Sequence, residues 1–153
     1  MQYAVAGIQA ATAYLDVGGL PVLVIGYSRG GALAVEYGAV AARNGLPVPD
    51  KIMSIFPASV GNEQHLIDLT SLDHSTGLLI QMGEEDAIVG RTGARHLLWR
   101  LRAGGFPAQN IKLDFVKSHA GFTADHFAPL QTSPSARAAF WRPADLLLVG
   151  LNR

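Results

Sequence analysis

The chain has 153 residues, enough for one domain with a real core, and is 49% hydrophobic and only 16% charged, which excludes a disordered segment. Its formal net charge is zero, so nothing electrostatic favours nucleic acid or an anionic membrane surface. It has no cysteine, which excludes disulfides, zinc thiolates and a cysteine nucleophile. No apolar run approaches the roughly 18 residues of a membrane span, and Met1 to Asp16 lacks the basic start and cleavage pattern of a signal peptide.

In chain order, Tyr3, Val5, Ile8, Ala11 and Leu15 recur at helical spacing, and Gly18-Gly19 is expected to end that helix. Val22 to Ile25 is a short apolar, β-branched run with the character of a buried strand. A helix is predicted from about Arg29 to Arg43, stopped by Asn44-Gly45 and Pro47. Ile52 to Phe56 reads as a second strand. Pro57 to Asp73 is polar and irregular, with at most a helical turn around His65 to Leu69. Leu78 to Met82 is a third strand, ending at Gly83-Glu84-Glu85-Asp86. A helix from about Thr92 to Arg102 turns Leu97, Leu98 and Leu101 inward, and Ile111 to Val116 is a fourth strand. After a long connection, Ser133-Pro134 offers an N-cap and first-turn proline for a last helix. Pro143 is expected to break that helix before Leu146 to Leu151.

Short strands without polar alternation, separated by helices, imply an α/β fold: a three-layer sandwich around a mostly parallel sheet. In such sheets functional groups gather beyond the carboxyl ends of the strands. The first strand runs directly into Gly26-Tyr27-Ser28-Arg29-Gly30, the pattern G-x-S-x-G, followed by a helix. Strand, sharp turn and helix together make a nucleophile elbow, with Ser28 as nucleophile and glycines where neighbouring chain passes close. The backbone N–H of Arg29, at the helix start, would face a developing oxyanion. Asp86 follows the third strand as the candidate acid, with Glu84 and Glu85 as competing carboxylates. Two histidines follow the fourth strand: His119 immediately after it, and His126. The order Ser, Asp, His, all at strand ends, suits acyl transfer by a serine hydroxyl activated by an imidazole.

Other chemistries fit poorly. His119, Asp125 and His126 match no zinc spacing. The Gly26–Gly31 segment lacks the first G-x-G of a dinucleotide site, and no Lys-Ser/Thr follows to make a phosphate loop. No metal or cofactor is expected. Tyr27, Phe122, Phe127 and Trp141 are candidate pocket aromatics, with Tyr27 and Phe127 taken as the substrate-binding pair; His65, His74 and His96 read as surface or packing residues.

These residues resemble the α/β-hydrolase superfamily. Gly26 to Gly30 is similar to its elbow, Gly83-Glu-Glu-Asp86-Ala-Ile-Val89 to its acid loop, and Asp125-His126-Phe-Ala-Pro129 to its histidine loop. The last resembles cutinase-like polyester hydrolases, while the acid loop, Gly90-Arg91 and the terminal helix look like chlorophyllase-like or dienelactone-hydrolase-like esterases. The resemblance implies a Ser28–His126–Asp86 triad, with His119 as the alternative base, acting on small-molecule carboxylic esters without a cofactor. It also implies a partial α/β-hydrolase fold, residues 1–153 forming one partial domain. Family members carry earlier strands, and a loop after the third supplies a second oxyanion donor. Nothing before Leu20 can be that loop. The chain is therefore expected to be part of a longer enzyme, or else a catalytically incompetent partial fold that serves binding or assembly or does not fold alone. The edge of the nucleophile strand is expected to be bare, apolar and open to self-association.

Overall fold

The computed structural model describes residues 2–15, 19–59 and 66–150. Four strands form one sheet: β1 (Leu23–Tyr27), β2 (Lys51–Ile55), β3 (Gly77–Gly83) and β4 (Ile111–Val116). All neighbours are parallel, and their order across the sheet is their order in the chain. β2 and β3 are largely apolar runs buried on both faces, while β4 alternates apolar and charged residues and leaves Lys112 and Leu113 exposed. Ile52, Leu78 and Ile80 project to one face, where α2 (Arg29–Ala41) and α3 (Thr92–Ala103) supply Val35, Ala39, Leu97 and Leu101. Met53, Ile55 and Leu79 project to the other, against Ala136 and Phe140 of the C-terminal helical segment. The fold is thus a three-layer α/β sandwich with an all-parallel sheet, as expected.

The first helix, α1 (Gln2–Thr12), ends earlier than the spacing predicts. Thr12 turns its hydroxyl back onto the carbonyls of Ile8 and Gln9 in the last turn. Tyr3 and Leu15 are exposed, while Val5 and Ile8 pack against the apolar cluster of Tyr37, Ala41 and Leu46. Gly18 and His65 lie outside the described residues, and Leu66 to Leu69 are not helical.

The larger correction concerns Pro143. The helix begins as expected, with the Ser133 hydroxyl accepting the Ala136 N–H at 3.2 Å and Pro134 in the first turn. It then runs straight through Pro143: α4 (Pro134–Ala136) leads into a π-helical stretch, Arg137–Trp141, and on into α5 (Arg142–Val149). A proline removes the hydrogen bond to the carbonyl four residues earlier, here Ala139. Two adjustments absorb the loss. The wider π turn relieves the clash with the ring, and the side-chain amide of Gln81, fully buried on β3, donates to the Ala139 carbonyl at 2.9 Å. The same amide nitrogen donates to Asp114 of β4 at 2.8 Å. The helix is continued by a partner from the sheet below it.

The outer edge of β1 has no neighbour among the described residues. Ile25, at its middle, is half exposed, and an apolar cleft lined by Ile8, Val24, Leu33 and Tyr37 runs beside it. On the opposite side of α2, Glu36 and Arg100 of α3 form a buried ion pair at 2.9 Å, and Arg100 also donates to the Ile67 carbonyl. Removing one member would leave an uncompensated buried charge. Arg100→Met is therefore expected to cost about 3–5 kcal/mol in chemical denaturation. The double variant Glu36→Leu/Arg100→Met should recover most of that loss.

Candidate active site

β1 ends at Tyr27 and α2 begins at Arg29, so the whole reversal of direction falls on one residue. Ser28 takes φ 56° and ψ −120°, a conformation that L-residues avoid. What holds it there is main-chain bonding on both sides. Its N–H donates to the Ile55 carbonyl at 2.9 Å, and its carbonyl accepts from Gly31 and Ala58, each at 3.0 Å. Serine at a helix start ordinarily caps it with its hydroxyl. Ser28 makes no such bond, which leaves the hydroxyl free.

The two elbow glycines are not equivalent. A Cβ on Gly26 would lie 1.9 Å from the Gly30 carbonyl oxygen, an impossible contact, whereas one on Gly30 would meet nothing within 4 Å. The expectation that both flanks are crowded holds for Gly26 only, because Gly30 faces the cleft beside the open edge of β1. The loop after β2 contributes a feature with no sequence signal. Phe56, buried, adopts φ 45° and turns the chain so that Ile55 and Ala58 grip Ser28 from either side.

Asp86 follows β3 by three residues, and its carboxylate has no exposed surface. One oxygen accepts the N–H groups of Ile88 and Val89, both at 3.0 Å. The other lies 2.9 Å from His126 Nδ1. A carboxylate only accepts, so Nδ1 carries the proton and Nε2 presents its lone pair. That lone pair faces the Ser28 hydroxyl at 3.0 Å. Ser28 directly after β1, Asp86 three residues past β3 and His126 ten residues past β4 thus form one hydrogen-bonded chain. Arg29 opens α2, so its N–H has no intrahelical acceptor and remains available beside Ser28.

The other candidates are held apart from this line. His119 is exposed, its ring against Phe122 and its main chain bridged to that residue by two bonds of 2.9 Å. Glu84 accepts the Ser118 N–H at 2.9 Å and so ties the histidine loop to the acid loop, while Glu85 is exposed. His74 is exposed, and His96 stacks on Trp99. Among the aromatics, Phe122 is core, and Trp141 lies under Arg137. Phe127 stands exposed, edge-on to the His126 ring at 5.9 Å. Tyr27, expected as a substrate contact, is half-buried: its ring lies 5.0 Å from the imidazole, and its hydroxyl donates to the main-chain carbonyl of His126. Burial first, then the Asp86 and Asp125 carboxylates, raise its phenol above the ordinary value, so it stays a donor at neutral pH. Among the described residues no three His, Asp or Glu gather as a metal site, and no helix is long and apolar enough to cross a membrane.

No protein-family model and no curated protein sequence matches the chain. Solved structures do match it in fold. A dienelactone hydrolase-like promiscuous phosphotriesterase from metagenomic libraries is 19% identical at a TM-score of 0.62, over 95% of this chain and 59% of that one. Acyl-protein thioesterase 2 from Zea mays is 18% identical at 0.57, over 94% and 64%. An α/β-hydrolase enzyme from a Medee basin deep-sea metagenome library is 18% identical at 0.56, over 86% and 50%. The chain therefore spans between half and two thirds of the length of these structures, and over that span it has the α/β-hydrolase fold.

The glycine asymmetry gives a direct test. Gly26→Ala is expected to leave little soluble folded protein, since the clash is with main chain. Gly30→Ala should shift stability by less than about 1 kcal/mol in a urea titration.

Proposed function

We propose that the chain carries the catalytic half of a serine hydrolase acting on carboxylic esters, within residues 1–153 as one partial α/β-hydrolase domain. The observation that carries this reading is the unbroken line of hydrogen bonds from the Ser28 hydroxyl through His126 to Asp86. In the reaction, Ser28 Oγ attacks the acyl carbonyl while His126 Nε2 takes its proton. Asp86 holds the imidazole in the required tautomer and stabilises the imidazolium. The Arg29 N–H donates to the oxyanion, assisted by the start of α2. The imidazolium then protonates the departing alcohol. Water, deprotonated by the same imidazole, frees the acid and restores Ser28. Phe127 supplies an apolar contact for the acyl or alcohol group, and the substrate is a small molecule.

The hydrolase fold of the similar structures agrees with this reading, and their names include esterase and thioesterase activities. The unpaired edge of β1 favours a second reading: the chain alone is an inert partial fold that associates through that edge. A fluorophosphonate probe separates the two. Under the first, it labels Ser28, and Ser28→Ala or His126→Ala lowers labelling at least about 10⁴-fold. Asp86→Asn should also lose several orders of magnitude, and His119→Ala should match the parent chain. Under the second, a folded chain stays unlabelled and self-associates with rising concentration in sedimentation.

A further inference from the structure

His126 is borne by a connection with little regular structure, running from Lys117 to Ser133 between β4 and α4. Imidazole-mediated proton transfer requires the ring to keep its place within a few tenths of an ångström. The Asp86 bond fixes one ring nitrogen and does not by itself hold the main chain of His126. The loop's hydrogen bonds to other segments lie earlier, Ser118 to Glu84 and Ala124 to the Glu85 N–H, while the bonds that bracket His126, from the Phe127 and Ala128 N–H groups to Asp125, stay within the loop. At the histidine itself, the contact from outside the loop to its main chain is the Tyr27 hydroxyl.

From this geometry we infer that Tyr27 is a positioning residue: its hydroxyl clamps the His126 main chain to the strand that carries the nucleophile. The inference rests on the Ser28–His126–Asp86 reading above. Tyr27 immediately precedes Ser28, so one rigid strand end fixes the nucleophile through the elbow and the base through the phenol. The clamp spans 99 positions of sequence. The ring adds a second restraint, lying at 36° to the imidazole with its inner edge among the apolar side chains on that sheet face. The hydroxyl acts through His126 and is not a donor to substrate, since its proton is already given to a carbonyl.

The test uses Tyr27→Phe, which keeps the ring and removes the clamp. Tyr37→Phe is the control: it removes a similar bond, from the Tyr37 hydroxyl to the Pro47 carbonyl at 2.7 Å, away from Ser28. Two readouts are taken on the full chain: steady-state hydrolysis of p-nitrophenyl acetate, and the downfield proton resonance of the His126 Nδ1–H bonded to Asp86. Tyr27→Phe is expected to lower kcat about tenfold with KM within twofold, and to broaden or abolish the resonance. Its melting temperature should match that of Tyr37→Phe, which keeps both kcat and the resonance. Unchanged kcat and resonance in Tyr27→Phe overturn the inference. So does a lower kcat with the resonance intact, which would put the hydroxyl on the substrate, or an equal loss in both variants. Parent hydrolysis that is absent, or that survives Ser28→Ala, refutes the reading on which the clamp rests; the resonance then still decides whether Tyr27 orders the histidine.

Discussion

A carboxylate stripped of water is tolerated only when its lone pairs are bonded, and Asp86 meets that condition with two main-chain N–H groups and one imidazole. The site geometry follows from this. The turn over Ala87 to Val89 must fold tightly to bring its N–H groups round, which sets the distance from β3 to the histidine. The imidazole must present Nδ1 to the acid, which aims Nε2 at Ser28. An asparagine here would keep one acceptor and put an N–H in place of the other, so either the loop N–H groups or the imidazole would lose its acceptor. Burial is thus what orders this network, because each unmade bond inside it would cost far more than at the surface.

Most of the sheet was legible because its strands are buried on both faces. A continuous run such as Leu78 to Met82, bounded by Gly77 and Gly83, leaves few alternatives to a central parallel strand. The elbow was legible for a related reason: a strand, a crowded glycine and a helix start leave one residue to make the turn. The candidacy of Asp86 followed from its place just past β3, whereas the strand-end argument alone pointed to His119, and only the resemblance of the segment Asp125 to Pro129 favoured His126. The distances between these residues did not follow, since they depend on loops whose course is set by contacts remote in sequence.

The failures share one physical cause. Pro143 ends helices by removing a donor, yet Gln81 restores the bond from a strand 58 positions earlier. Gly30 looked indispensable by pattern, yet whether a Cβ fits depends on what lies beside β1. Phe56 takes a left-handed conformation with no glycine to announce it, because flanking bonds to Ser28 outweigh the local preference. In each case a distant partner decides, and single-sequence reading sees only near neighbours.

The sheet grows in the order in which it is written, each strand docking on the one before it. Such a layout pairs strands 26 to 33 positions apart, so a loop must close before each pairing is rewarded, though never over more than one crossover. The hydrogen-bonded line of Ser28, His126 and Asp86 obeys a different order. Ser28 precedes His126 by 98 positions, and all four described strands lie before that histidine. These four strands can therefore pair before the imidazole is present, and the elbow hydroxyl meets it only once the loop after β4 has folded back across the rim.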